Sequence, residues 1–363
     1  MTSVVLAGGG TAGHTSPLIA TAQALQVAEP NVTLLAIGTP KGLESRVVPA
    51  AGLELAMIPP VPLPRKITPE LFKVPGRLVG AVREARRILT AANADVVVGF
   101  GGYVSMPVYL AARAAKVPIV IHEQNAVPGL ANKVAARLTH SVGVSFPGTP
   151  LPHATLVGLP VRAAIATLDR AAARPAARAA FGLPAEGPVL LVSGGSQGAR
   201  SINQAVEGAL REIIAAGVSV LHVLGPKNIT SAHEPRTDAS GAVYLPLGYV
   251  DEMADAYAAA DLMLARAGAG TVAETATVGL PTVFVPLPHG NGEQAKNAEG
   301  LVAAGAGVVV LDGLLTSDWL VATGLPLVLD AKRLATMGER LRGLMPADAA
   351  GRVAAMVLGA VKR

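Results

Sequence analysis

Short apolar runs recur along the whole chain. Each gives way to glycine or polar residues and then to a stretch of helical spacing. In the first half, Val4–Ala7, Val32–Ile37, Leu53–Ile58, Val96–Phe100, Pro118–His122, Val142–Phe146 and Thr155–Val157 predict strands. In the second half, Val189–Ser193, Val218–Leu224, Val243–Leu247, Leu262–Ala265, Thr282–Leu287 and Gly307–Leu311 do the same. Helical patterns lie between them at Pro17–Ala28, Pro75–Ala92, Met106–Ala115, Asn203–Ala216, Met253–Ala260 and Gln294–Ala304. Strands apolar on both faces must be covered on both faces, so the alternation predicts parallel sheets between layers of helices. Two such blocks, each opening on a strand and a glycine loop, predict an α/β chain of two doubly wound domains. The division falls near Gly158-Leu-Pro-Val-Arg162, with 1–160 in the first domain and 161–342 in the second. Asp169–Arg178, rich in Ala and Arg, reads as a surface helix. The tail from Lys332 is helical with no strand after it, and about 343–363 is expected to pack back on the first domain.

Composition narrows the class. A chain of 363 residues suits two domains, and 51% apolar content with 40 Gly and 28 Pro suits buried strands joined by tight turns. The absence of cysteine excludes disulfides, thiolate zinc sites and thiol nucleophiles. The pattern H-x-x-x-H and the pattern DxD are both missing, so no metal is expected, and no other cofactor is expected either. The chain reads as lacking a G-x-S-x-G elbow, so a serine hydrolase is not expected. Val4–Ala7 runs into Gly8-Gly-Gly10 with no basic segment before it, so no signal peptide is expected. Val96–Ala112 and Leu138–Val161 lack charge, but Gly and Pro break both, so no spanning helix is expected. The expected place is the cytoplasm. A formal net charge of +5 leaves room for an anionic partner. Aromatic content of 3% offers no stacking platform, so nucleic acid is not expected.

The chemistry gathers where glycine follows a strand. Ala265–Ala298 holds a buried strand, a turn at Gly268 and Gly270, a helix opening near Thr271, a second strand, the loop His289-Gly-Asn-Gly292 and a helix opening near Gln294. Helix N-termini after such turns offer free N–H groups to an anion such as a diphosphate. Glu274 repels phosphate, so the vicinal hydroxyls of a ribose are its candidate partner. Gly8-Gly-Gly-Thr-Ala-Gly-His14 contains G-x-G-x-x-G, but the second strand ends Ala36-Ile-Gly-Thr39 with no acid for a dinucleotide ribose. His14 either reaches a reacting atom or is a solvent-facing structural histidine. Ser193-Gly-Gly-Ser-Gln-Gly-Ala199 stands at the equivalent place in the second block, with Ser196 and Gln197 as candidate ligands of phosphate or sugar. His122-Glu-Gln-Asn125 ends a strand at the edge where such sheets bind ligands. Tyr103, after Gly101-Gly102, is a hydrogen-bond donor or a rim aromatic. Between Pro62 and Arg87, Arg65, Lys66, Lys73, Arg77, Arg83, Arg86 and Arg87 alternate with Leu71, Phe72, Val74, Leu78, Val79 and Val82. That stretch is either an interfacial surface for anionic lipid or an ordinary amphipathic helix with a basic outer face.

Taken in order, GGGTAGH, GGYVS, HEQNAVPG, GGSQGA, RAGAGTVAE and HGNGEQAKNA resemble one family from residue 8 to about residue 300. It is the group of bacterial N-acetylglucosaminyltransferases, within glycosyltransferase family 28, that converts lipid I into lipid II in peptidoglycan synthesis. The resemblance implies two Rossmann-like domains facing a cleft, the B-type glycosyltransferase fold. It implies a C-terminal domain for UDP-N-acetylglucosamine, and an N-terminal domain for the lipid-linked muramoyl-pentapeptide and the inner face of the membrane. By the same resemblance Glu274 holds the ribose, and Ala269, Gly270 and Thr271 line the nucleotide. Ser196, Gln197 and Arg162 serve the diphosphate or sugar, Val250 meets uracil, and Gln294 bonds the sugar. Asn125 sits where donor and acceptor meet. Gly10, Thr11, Ala12, Gly13 and Tyr103 face the reacting centre and acceptor. His14 is the candidate base, with Glu123 in reserve. Two departures stand out: Glu293-Gln294 replaces paired glutamines, and Leu159 replaces an asparagine at the hinge. A cofactor-free UDP-sugar 2-epimerase, a nicotinamide-dependent oxidoreductase and a membrane-surface scaffold are the alternatives.

Overall fold

The computed structural model describes residues 1–61 and 74–361. Arg65, Lys66, Leu71, Phe72 and Lys73 of the basic stretch lie outside them. Contacts gather the chain into two compact units. One is Met1–Arg162 with the segment from Asp348 onward, and the other is Ala163–Ala347.

In the first unit β1 (Ser3–Ala7), β2 (Thr33–Gly38), β3 (Glu54–Met57), β4 (Val96–Gly99), β5 (Ile119–Glu123), β6 (Ser141–Val144) and β7 (Ala154–Leu156) form one sheet. Its order is β3-β2-β1-β4-β5-β6-β7, and every pairing is parallel. Val4 stands opposite Leu34 on one side and Val96 on the other. β1, β4 and β5 are buried throughout, which is why their sequences are apolar without alternation. The connecting helices are α1 (Ala12–Ala28), α2 (Glu44–Ala50), α3 (Val74–Ala91), α4 (Gly102–Ala115) and α5 (Leu130–Ala135). The chain builds outward from β1 to β3 and then restarts at β4 on the other side of β1. That reversal leaves a crevice at the carboxyl ends of β1 and β4.

In the second unit β8 (Val189–Ser193), β9 (Ser219–Val223), β10 (Arg236–Thr237), β11 (Val243–Leu247), β12 (Leu262–Ala265), β13 (Thr282–Phe284) and β14 (Gly307–Val309) repeat the plan. The order is β10-β11-β9-β8-β12-β13-β14, with β10 the antiparallel edge. The reversal falls between β8 and β12. Helices α6 (Ala163–Ala166), α7 (Arg170–Ala180), α8 (Arg200–Ala215), α9 (Met253–Ala259), α10 (Ala269–Val278) and α11 (Glu293–Ala303) connect these strands. After β14 come α12 (Ser317–Trp319), a π turn at Leu320–Gly324, α13 (Leu325–Leu329) and α14 (Ala331–Leu341). The base of this unit is pinned by Arg178, which is 1% exposed. Its guanidinium donates to the carbonyls of Ala185, Gly187 and Ala259 and to Asp261, and Asp261 in turn accepts the Val189 N–H.

The helical tail is interrupted at Arg342–Asp348 and resumes as α15 (Ala349–Ala360), which belongs to the first unit. Val353, Ala354 and Val357 pack with Leu18, Leu25 and Val96 in one apolar cluster. Among the described residues no helix is long and apolar enough to cross a membrane.

The sequence pattern starts α1 at Pro17, α4 at Met106 and α8 at Asn203. In the structure they begin at Ala12, Gly102 and Arg200, hard against the preceding strands. Glycine-rich composition reads as loop, but here the glycines complete the turn in very few residues. His14 and Tyr103 therefore stand on the first turns of helices, not in loops.

Candidate active site

At the crevice of the first unit, Gly10 turns the chain with φ 91°, and Thr11 is the extended N-cap of α1. The Thr11 side chain does not cap the helix. Its hydroxyl lies 2.9 Å from His14 Nδ1 instead. The N–H groups of Ala12 and Gly13 have no hydrogen-bond partner among the described residues, so the positive end of a 17-residue helix is open. His14 is half-buried, and its Nε2 is likewise unengaged among the described residues. Gly101 and Gly102, both with positive φ, face the imidazole closely enough that a Cβ on Gly101 would lie 3.4 Å from the ring. The Tyr103 ring walls Gly10, and its hydroxyl pairs with Thr39 Oγ1 at 3.1 Å.

The loop after β5 is organised by Glu123, which is 2% exposed. Oε1 accepts the Asn125 N–H at 2.9 Å, while Oε2 accepts Gly129 N–H at 3.0 Å and Asn132 Nδ2 at 2.9 Å. Asn132 Oδ1 takes the buried Tyr109 hydroxyl at 2.8 Å. His122 Nε2 lies 2.8 Å from the Gly158 carbonyl, and Gln124 Nε2 lies 3.1 Å from His122 Nδ1. An Nε2–H tautomer satisfies both contacts, with Gly158 accepting and Gln124 donating.

In the second unit the loop Gly194–Gly198 follows β8, leaving Ser196 and Gln197 exposed. Gly198 has no alternative: a Cβ there would stand 1.8 Å from the Leu224 carbonyl oxygen. After the neighbouring strand β12, Gly268 is the N-cap of α10, again with no side-chain cap. The N–H groups of Ala269, Gly270 and Thr271 have no hydrogen-bond partner among the described residues. Glu274 is half-buried, and its Oε2 accepts the Tyr257 hydroxyl at 2.6 Å. After β13, Gln294 Oε1 accepts the Leu287 N–H at 2.9 Å, and its amide nitrogen has no hydrogen-bond partner among the described residues. Glu293 opens α11, where a carboxylate suits the helix dipole. Val250 is buried after β11. Ser201, Arg266 and Asp312 form a polar knot joining α8, β12 and the turn after β14.

The glycosyltransferase family 28 N-terminal domain matches residues 4–144, and the C-terminal domain of the same family matches residues 189–353. The chain belongs to glycosyltransferase family 28. It is 61% identical over 366 residues to a Cutibacterium acnes relative, spanning 99% of this chain and 98% of that one. The relative is named UDP-N-acetylglucosamine–N-acetylmuramyl-(pentapeptide) pyrophosphoryl-undecaprenol N-acetylglucosamine transferase. A protein of the same name from a Nocardioides species is 56% identical over 355 residues, 98% of this chain and 97% of that one. The crystal structure of Acinetobacter baumannii MurG matches with a TM-score of 0.76 at 28% identity, over 99% of this chain and 100% of that one.

In this family 28 chain the sites named from sequence fall into two groups. Gly10, Thr11, Ala12, Gly13, His14, Tyr103, Glu123, Asn125 and Arg162 belong to the first unit. Ser196, Gln197, Val250, Ala269, Gly270, Thr271, Glu274 and Gln294 belong to the second. Within the second unit all but Val250 follow the adjacent strands β8, β12 and β13. Sequence reading passes over Thr39, Glu44, Asn132, Tyr257 and Arg266, whose roles come from packing alone. It also passes over a spacing: Gly194-Gly-Ser-Gln-Gly198 does spell G-x-S-x-G, the pattern of a hydrolase elbow. Ser196 makes no hydrogen bond to an imidazole among the described residues, so no nucleophile is activated there.

Electrostatics separate the two histidines of the first unit. Burial lowers the pKa of His14 below its ordinary 6.5, and the attraction of Glu44 opposes that shift. The imidazole is therefore neutral at pH 7. Burial lowers His122 as well, to about 4. A histidine depressed in the folded state contributes stability above its unfolded pKa, and that stability is lost as pH falls through the folded pKa. Between pH 6.5 and about 4 this amounts to about 3 kcal/mol. His122→Gln keeps a donor for Gly158 and cannot titrate. Urea unfolding of both proteins at neutral pH and near pH 4 is expected to show the wild type losing about 3 kcal/mol more than the variant. Equal losses would show that His122 is not held neutral.

Proposed function

We propose that this chain transfers N-acetylglucosamine from UDP-N-acetylglucosamine to an N-acetylmuramoyl-(pentapeptide)-pyrophosphoryl-undecaprenol acceptor, forming lipid II from lipid I in peptidoglycan synthesis. The observation that carries the reading is a pair of strand-order reversals, each with an uncapped helix N-terminus, one of them bearing an imidazole. Relatives of that name match the chain along almost its full length at 61% and 56% identity.

On the donor side, the amides of Ala269, Gly270 and Thr271 receive the diphosphate, with Ser196 and Gln197 on the loop of the adjacent strand. Glu274 takes the ribose hydroxyls, oriented by Tyr257. Gln294 donates its amide hydrogens to the sugar, Val250 meets uracil through its backbone, and Arg162 serves the donor. On the acceptor side, Gly10, Thr11, Ala12 and Gly13 face the acceptor diphosphate and Tyr103 lines it. Asn125 stands where the two substrates meet. Glu123 is a positioning residue, since its oxygens are committed to the loop it organises.

The reaction inverts the anomeric centre. The 4-hydroxyl of the muramoyl sugar attacks from the face opposite UDP, and His14 Nε2 takes its proton. The bond from the anomeric carbon to the β-phosphate oxygen breaks, the electron pair leaves with UDP, and a β-1,4 linkage results. Negative charge grows on the departing diphosphate, and the open N-terminus of α10 meets it. One such donor is worth roughly 2.7–4 kcal/mol in a transition state. A dinucleotide reading of Gly8–Gly13 is disfavoured by Glu44, because its carboxylate already accepts the Gly10 N–H that a pyrophosphate would need.

The work place is the inner face of the membrane, reached without spanning it. Gly76, Val79, Arg83, Arg86 and Thr90 share the exposed face of α3, opposite buried Ala81, Ala85 and Ile88. Each basic residue at an anionic surface contributes about 1 kcal/mol.

Two outcomes follow. His14→Ala is expected to lower turnover by about a hundredfold or more while calorimetry shows UDP affinity within about twofold of wild type. Unchanged turnover removes His14 from the mechanism. Arg83→Glu with Arg86→Glu is expected to weaken sedimentation with anionic vesicles at least about tenfold, with turnover on a short-chain soluble acceptor retained. Vesicle binding equal to wild type would move the membrane contact elsewhere.

A further inference from the structure

A buried carboxylate lies against the Gly8–His14 turn. Glu44 opens α2, and both of its oxygens are engaged. Oε2 accepts the Gly10 N–H at 2.8 Å; Oε1 accepts the Thr39 N–H at 3.0 Å and the Thr39 hydroxyl at 2.8 Å. With that hydroxyl hydrogen committed to Glu44, Tyr103 donates to Thr39 Oγ1. Three glycines make room for the carboxylate: a Cβ on Gly9, Gly38 or Gly42 would stand 2.5, 2.4 or 2.1 Å from Glu44 atoms. A buried ion is tolerated only when its lone pairs are met, and here they are met by the turn that carries the reacting residues.

We propose that Glu44 is a positioning residue for the transfer reaction, holding the Gly10 amide so that Thr11 and His14 emerge on the first turn of α1 in reactive register. The inference rests on His14 acting as the base. The geometry supports it from two sides, since Tyr103 closes over Gly10 and reaches the same carboxylate through Thr39. The charge has a second consequence. Among the described residues, the titratable side chains that reach this turn are Glu44 from α2 and Tyr103 from α4, and Glu44 is the one that raises the basicity of His14 against burial.

The test uses the full-length chain with UDP-N-acetylglucosamine and a lipid-linked acceptor, comparing Glu44→Gln, Glu44→Asp and His14→Ala. Turnover is followed across pH, UDP affinity by calorimetry, and folding by thermal melting. Both Glu44 variants are expected to lose about ten- to a hundredfold in turnover, with UDP affinity within about twofold. Glu44→Gln removes the charge, so burial acts on His14 unopposed and the acid limb of activity moves to lower pH. Glu44→Asp keeps the charge but withdraws the oxygens, so its limb stays near the wild-type position. A folded Glu44→Asp with wild-type turnover overturns the proposal, as does a folded Glu44→Gln with an unmoved limb. If Glu44→Gln does not melt cooperatively, Glu44→Asp decides alone. His14→Ala separates the two readings: an acid limb that persists in it refutes His14 as base, whatever the Glu44 variants do.

Discussion

A parallel sheet brings the start of a helix to its carboxyl edge each time the chain crosses over, and the first amides of that helix have no partner of their own. Everything else in this protein depends on how those amides are left. Most helices close them with a Ser, Thr, Asp or Asn cap. Here α1, α8 and α10 carry no side-chain cap, and the residue before α10 is glycine. Thr11 stands in a capping position but turns its hydroxyl to His14. The donors remain open at the places where strand order reverses, so the positive ends of helices point into crevices. That arrangement offers unpaired backbone donors at a positive helix end, the chemistry that suits an anion such as a diphosphate.

The polar side chains around these crevices act mainly by fixing backbone. Glu123 gathers three donors of its own loop. His122 ties the end of β5 to Gly158, close to where the first unit ends, and it does so as a neutral ring. Tyr257 holds one oxygen of Glu274, so the carboxylate that α10 carries on its second turn is fixed in direction. Preset groups of this kind avoid reorganisation during reaction, which is where electrostatic catalysis gains most.

Much of this was legible from residues alone, for a simple reason. Buried parallel strands must be largely apolar on both faces, so β1, β4, β5, β8 and β12 stand out by runs of three or more Val, Leu, Ile, Met or Ala. Glycine after such a run marks a tight turn, which located the loops at Gly8, Gly101, Gly194 and Gly268. Helix starts were less legible, because glycine composition resembles a loop while the backbone is already turning into α1 or α4. Glu44 was illegible: it lies in an unremarkable stretch, and its partner Gly10, 34 residues away, is brought to it only by the folded register of β1 and β2. The same holds for Tyr257 and Glu274, which no sequence periodicity connects.

The proposed reaction moves N-acetylglucosamine from a nucleotide donor to a lipid-linked acceptor. The direct measurement is to incubate the purified chain with UDP-N-acetylglucosamine labelled in the sugar and a lipid-linked muramoyl-pentapeptide, and to score label in the lipid phase. The account predicts that label enters the lipid in a β-1,4 linkage with stoichiometric release of UDP, and that no sugar is altered when the acceptor is omitted. A folded, UDP-binding protein that leaves the lipid unlabelled, or that epimerises the sugar nucleotide without acceptor, would contradict it.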